Sequence, residues 1–324
     1  MFSYRSLLKQ AFSLAWKNKY LWFFGLFASL TVAGGSWEYQ IITQNFGQNL
    51  VDSSYYNLSG LLALGDLLKN FFSGFVNLFR FDFLTIINVL TLLLAAAIIL
   101  VLFIWLAVTS QAALVDSTKK ILTAGKKKII ITIRSGLTAG QRHFWSVLGL
   151  NILTKVLISL ALFIISLPLL FMVVSNASIL SAIYIILFVI FIPIGTGLSL
   201  MIKYAISYKV LDNQSFIGSL EKSGKLFKEN WLVSLEMAVI LFLINLLIGG
   251  LLLVGMAVFL LPLFLLGLGF NLAWLTILIA LVAIVLVILT GSFLTTFQIA
   301  AWTGLFLNLK ERGGLAKLER LFKH

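Results

Sequence analysis

Charge disappears from this chain for very long stretches, and that absence limits the available folds more than any motif does. No Asp, Glu, Lys or Arg falls within Leu84–Leu114, Ile179–Ile202 or Met237–Leu309. An α-helix needs about 20 apolar residues to cross some 30 Å of hydrocarbon, and each run reaches that length. Backbone groups in hydrocarbon must satisfy one another, which leaves helices or closed barrels. Barrel strands alternate apolar and polar residues; these runs are continuous, so they read as helices. The chain is 61% hydrophobic and 11% charged, against roughly 45–50% and 25% for a soluble domain.

Six spans follow: Tyr20–Gly35, Leu84–Leu114, Phe144–Val174, Ile179–Ile202, Trp231–Leu261 and Leu272–Leu307. Lys and Arg sort between their ends. Four precede the first span, seven lie in 116–143, five in 203–230 and five in the C-terminal tail. The other side keeps Lys69 and Arg80, and Lys155 falls inside a span. The excess of cations in short loops marks the cytoplasmic side, so both ends of the chain are expected there, in a bacterial cytoplasmic membrane. A net charge of +13 would suggest nucleic acid in a soluble protein; here it is orientation charge, and no nucleic-acid partner is expected. The small residues Val32-Ala33-Gly34-Gly35 resemble a signal-peptide cleavage region, but similar basic-aromatic stretches before the third and fifth spans argue for a retained helix.

Those stretches are Lys17-Asn18-Lys19-Tyr20, Arg142-His143-Phe144-Trp145 and Lys228-Glu229-Asn230-Trp231. Each follows an amphipathic interfacial segment. In the first, Leu8, Ala11/Phe12 and Ala15/Trp16 oppose Arg5, Lys9, Ser13 and Lys17. In the last, Phe216/Ile217, Leu220, Gly224 and Phe227 oppose Ser219, Lys222 and Lys225/Lys228; the loop 116–143 has the weakest pattern. A further amphipathic helix is expected over 58–80, after the polar stretch 36–59. The even-numbered spans end alike, at Gln111-Ala112-Ala113, Lys203-Tyr204-Ala205 and Gln298-Ile299-Ala300. The chain thus reads as an all-α membrane protein, one integral membrane domain over 1–324. Its six transmembrane helices form three hairpin units, 1–116, 117–211 and 212–324, each preceded by an amphipathic interfacial segment.

Chemistry-bearing groups are scarce. There is no cysteine and there are two histidines, His143 and His324, so neither a metal site nor a Ser-His-Asp arrangement can be assembled. No phosphate-cradling Gly-rich motif occurs. No catalytic, cofactor-binding or metal-binding residue is expected, and no cofactor. A charge near the bilayer centre costs at least about 2.5–3.5 kcal/mol, which singles out Lys155 and Glu236 as an intramembrane ion pair. Lys126, Lys127, Lys128, Arg142, Lys225 and Lys228 are candidate contacts for anionic lipid. Asn88, Asn151, Asn245, Asn271 and Gln298 can hydrogen-bond between helices. Gly249, Gly250 and Gly255, and Gly195 and Gly197 after Pro193, permit close packing or a kink.

The run Asp212-Asn213-Gln214-Ser215-Phe216, the stretch Ser219-Leu220 to Ser223-Gly224-Lys225-Leu226, Asn230-Trp231, and Gln298-Ile299-Ala300-Ala301-Trp302-Thr303 with Leu309-Lys310 give the chain a family likeness. It resembles a group of bacterial multi-pass membrane proteins similar to the membrane domain fused to some glycerophosphodiester phosphodiesterases. The resemblance implies a helical membrane module; nothing here corresponds to the catalytic barrel. The expected function is a non-enzymatic multi-pass membrane module engaging membrane lipids or partner membrane proteins. The alternative is a small-solute transporter or channel.

Overall fold

The computed structural model describes residues 4–33, 83–124, 132–175 and 179–312, and these are all helical apart from short turns and caps. The elements are α1 (Tyr4–Lys17), α2 (Leu21–Ala33), α3 (Phe83–Ala124), α4 (Ile133–Arg142), α5 (Phe144–Ser175) and α6 (Ile179–Asp212). Then come α7 (Phe216–Glu229), α8 (Trp231–Gly255), a π-helical turn (Met256–Leu260), α9 (Leu261–Gly269) and α10 (Ala273–Arg312). Five stretches of the described residues are long and apolar enough to cross a membrane: Ile87–Ala124, Phe144–Ala161, Val189–Asp212, Trp231–Gly269 and Ala273–Glu311. The expected first span appears as the 13-residue α2, too short alone for the roughly 20 residues a crossing needs. The helix expected over 58–80 lies outside the described residues.

The chain divides into two compact units, one of 1–34, 106–152 and 199–324, the other of 35–105 and 153–198. In the second unit the side chains are largely open. Leu92, Leu94 and Val101 of α3 and Ile186 and Val189 of α6 are all exposed, as a lipid-facing surface must be where the surrounding solvent is as apolar as leucine. Ile158 and Phe191 are its buried positions among the described side chains.

The first unit is close-packed. Its core runs through Leu7, Ala11, Leu14 and Ala15 of α1, Leu21, Phe24 and Ala28 of α2, Ala112–Val115 of α3, Tyr204 and Ala205 of α6, and Ala300, Ala301, Leu305 and Phe306 of α10. Small residues set the spacing. A Cβ on Gly25 of α2 would stand 2.2 Å from the Ser292 carbonyl oxygen and 2.3 Å from Thr296 Oγ1 of α10, so only glycine permits this approach. On α4, Gly136 and Gly140 lie four apart on one face. A Cβ at Gly136 would meet the Phe24 ring at 2.7 Å, and one at Gly140 the Thr109 carbonyl oxygen of α3 at 2.2 Å. This is the small-xxx-small device that brings membrane helices together. By contrast, a Cβ at Gly249, Gly250 or Gly255 would meet nothing within 4 Å, so these glycines do not provide close packing.

The π-helical turn between α8 and α9 has its own cause. Pro262 has no N–H to offer the carbonyl four residues back, and immediately before it the Leu261 N–H bonds Met256 O across five residues. The widened turn takes up the discontinuity. α9 then turns back through Asn271, whose φ of 53° is a conformation asparagine tolerates better than most residues.

Two face assignments differ from expectation. In α7, Ser219 and Ser223 are fully buried beside Leu226, while Ile217 is exposed. Ser219 Oγ donates to Ser215 O at 2.8 Å and Ser223 Oγ to Leu220 O at 2.8 Å. With their hydroxyls satisfied by their own helix, the serines can dock as small residues at little desolvation cost. In α1 the buried face is Leu7, Ala11, Leu14 and Ala15, whereas Phe12 and Trp16 stand exposed and stacked, centroids 6.1 Å apart. Leucine and alanine turn inward while the aromatic side chains stay outside.

Candidate functional site at the basic end

The polar groups of the first unit concentrate where the helices carry their lysines. The structure centres them on residues 211–214, the turn made by the last two residues of α6 and the first two of the connection to α7. Asn213 holds a positive φ of 50° there, and Ser215 caps α7 by accepting from the Gly218 N–H at 3.0 Å. Four ammonium groups reach this turn from four helices. Lys119 Nζ of α3 donates to Leu211 O at 2.9 Å, and Lys209 Nζ of α6 donates to Gln214 O at 2.9 Å. Lys222 Nζ of α7 donates to Gln214 Oε1 at 2.9 Å. Lys310 Nζ of α10 pairs with Asp212 Oδ2 at 2.7 Å.

A second polar group lies along α3. Asp116 pairs with Lys120 at 2.6 Å. His143, the junction of α4 and α5, is half-buried; burial, then Lys209 and Arg142, hold its imidazole below the ordinary value of 6.5, with Asp116 acting against them. About two turns beyond His143, Asn151 Nδ2 donates to Gln111 Oε1 at 2.8 Å, an interhelical bond of the kind worth about 0.6–2 kcal/mol in membranes. The hydroxyls of Thr109, Ser110, Ser117 and Thr118 and that of Tyr20 are buried and have no hydrogen-bond partner among the described residues.

On the α6–α10 side the polar groups are saturated. Tyr204 and Ser234 share a buried hydrogen bond of 2.7 Å, and Ser234 Oγ donates on to Asn230 O at 2.8 Å. The Tyr204 ring meets Trp302 edge-on at 6.1 Å, and Lys203 Nζ sits 4.7 Å from the centre of the Trp302 ring. This cluster has the features of packing cement, with each donor used internally.

The residues singled out by sequence fall as follows. Glu236, one turn into α8, is half-buried and accepts from Tyr4 Oη of α1 at 2.5 Å, a partner 232 positions away that spacing arguments could not reach. Lys155 belongs to the other compact unit and is exposed. Arg142, Lys225 and Lys228 are exposed on α4 and α7; Lys126, Lys127 and Lys128 lie outside the described residues. Lys119, Lys209, Lys222 and Lys310 carry no signal singly, because only the fold brings them together. One signal was present: Asp212 and Lys310, which bond, both sit in the motifs that carry the family resemblance. Three tryptophans beside the basic-aromatic stretches, Trp16, Trp145 and Trp231, are 57%, 80% and 55% exposed.

Among the described residues, no three His, Cys, Asp or Glu side chains come together to hold a metal ion. No family model, curated protein or solved structure matches the chain.

Proposed function

We propose that this protein is a non-enzymatic multi-pass module of a bacterial cytoplasmic membrane. It carries both chain ends in the cytoplasm and engages anionic lipids or partner membrane proteins at its basic end. The observation that carries the reading is the pairing of exposed tryptophans with lysines at one set of helix ends. Tryptophan prefers the headgroup level, and lysine attracts the anionic cytoplasmic leaflet by about 1 kcal/mol per residue. Trp16, Trp145 and Trp231 thus act as depth anchors on α1, α5 and α8.

A sixth crossing belongs to the same reading. Both ends on one side require an even number of spans, and five helices among the described residues qualify by length; α2, which is apolar but shorter, is the candidate for the sixth. The expected interfacial roles of α1, α4 and α7 follow from the same orientation. The resemblance to the membrane domain of glycerophosphodiester phosphodiesterases supports a module without catalysis of its own.

Because the chain has no cysteine, single cysteines report topology directly. Lys9→Cys and Lys228→Cys should resist a membrane-impermeant maleimide in intact cells, while Leu272→Cys should react. The reverse pattern, or Lys9→Cys and Lys228→Cys behaving oppositely, overturns the orientation.

One observation favours the alternative of a small-solute transporter: the unpartnered buried hydroxyls of Thr109, Ser110, Ser117 and Thr118 are groups a polar solute could use. Flux in proteoliposomes that is lost in Glu236→Gln and in Ser110→Ala would establish that reading; absence of flux for ions and small polar solutes would remove it.

A further inference from the structure

We propose that Lys119, Lys209, Lys222 and Lys310 form a defined site for the phosphate of an anionic phospholipid headgroup at the 211–214 turn. This deepens the reading above and rests on its orientation, which places the turn at the cytoplasmic leaflet.

The lysines are not a scattered surface charge. Each comes from a different helix, and each reaches the same four-residue turn through a bond of 2.7 to 2.9 Å. An ammonium has three donors, and the bonds to Leu211 O, Gln214 O, Gln214 Oε1 and Asp212 Oδ2 use one apiece. The side chains are therefore ordered while most of their donors remain for a ligand, a preorganisation that reduces the entropy lost on binding.

The charge balance within the turn is incomplete. Asp212 is the carboxylate of the turn, and Lys310 already holds it. The nearby Asp116 is held by Lys120, and His143 is biased toward its neutral form, so neither cancels the excess; Arg142 adds to it. Four lysines at the turn outnumber Asp212 and the Glu229 carboxylate that acts with it on Tyr208, and a phosphate offsets the remaining excess. The first turn of α7 points its positive end at the same place.

The surroundings favour an amphiphile over a soluble phosphate. Ile217, in the first turn of α7, is 75% exposed, and Lys222 is exposed while Lys119 and Lys209 are half-buried. An acyl chain lying along Ile217 would leave its headgroup among the ammonium groups. Lys225 and Lys228, further along α7, are exposed but converge on nothing comparable.

The test uses the full-length protein in neutral detergent, titrated with phosphatidylglycerol, with phosphatidylcholine or with inorganic phosphate, and read by thermal unfolding and by native mass spectrometry of retained lipid. Phosphatidylglycerol should stabilise the wild type and phosphatidylcholine should not. Lys209→Gln/Lys310→Gln should weaken phosphatidylglycerol binding about tenfold or more, whereas Lys225→Gln/Lys228→Gln should leave it within about twofold. Lys209→Arg/Lys310→Arg, which keeps the charge, should restore it and guards against a folding defect. Equal losses in both glutamine pairs would mean diffuse attraction and overturn the site. Inorganic phosphate matching the lipid would overturn the headgroup assignment. Because detergent removes the question of sidedness, failure here is separate from failure of the cysteine map.

Discussion

The two halves of α3 obey opposite rules. From Leu92 to Phe103 nearly every large side chain is exposed, and the residues are Leu, Ile, Val and Phe; from Ala107 to Thr118 most are buried, and they are Ala, Ser, Thr, Val and one Leu. A helix of 42 residues is roughly 60 Å long, about twice the hydrocarbon thickness. The bulky half needs no protein partner because lipid covers it. The small-residue half is where backbones approach closely enough to exclude everything else. Along α3, bulk marks the exposed half and smallness marks the packed half, the reverse of the usual expectation for a water-soluble fold.

The same contrast should divide the glycines by location. Gly25→Ala and Gly140→Ala each force a Cβ to within 2.2 Å of a backbone oxygen and should destabilise the protein by at least about 2 kcal/mol, read as an early melt by tryptophan fluorescence in detergent. Melting unchanged in both would collapse the distinction. Next in size is Tyr4→Phe, which removes the hydrogen bond to Glu236 and should cost about 1.5–3 kcal/mol, the range for bonds to charged groups. Comparing it with Tyr4→Phe/Glu236→Gln measures the coupling. Asn151→Ala breaks the bond to Gln111 and should cost about 1 kcal/mol, with Gln111→Ala giving no further loss in the double variant.

The acid side provides a finer test. His143 has a folded-state value below 6.5, so the fold prefers its neutral form. Its contribution is complete above about pH 6.5 and is lost as pH falls from there through the folded value, since the unfolded chain then binds the extra proton. His143→Gln should flatten that part of the pH–stability curve. The smallest effect belongs to the open glycines: Gly249→Ala and Gly250→Ala should be neutral or stabilise the helix by up to about 1 kcal/mol.

Much of the architecture could be read before any coordinates. The uncharged runs announced long helices, and the basic stretches announced where they end. Which face of each helix turns inward was harder to read. Hydropathy placed Ser219 outside and Phe12 inside, but a serine bonded to its own backbone packs like alanine, and a phenylalanine at a membrane boundary has no need of a protein core. Close contacts hid for a related reason: Gly25 stands alone in an apolar run, and only its position opposite Ser292 gives it meaning. The candidate site depended on pairings such as Lys119 with Leu211, 92 residues apart, which no local pattern encodes. The motif residues Asp212 and Lys310 were visible as text and became a contact only in the fold.

The π-helical turn at Met256–Leu260 gives this chain a place where its length can change without cost to its alignment. Such a turn holds one residue more than an α-helical path, and one residue corresponds to about 100° of rotation. Gly267 must face Thr276, because a Cβ there would stand 2.6 Å from Thr276 Oγ1. Removing one residue within 256–260 would convert the turn to regular helix and leave Gly267 facing Thr276, at the cost of setting the Pro262 ring against the carbonyl four residues back. Removing one within 263–266 would swing a neighbouring leucine into that slot. Sequence length is thus elastic on one side of Pro262 and rigid on the other, and a pair of single-residue deletions compared by thermal unfolding would show it.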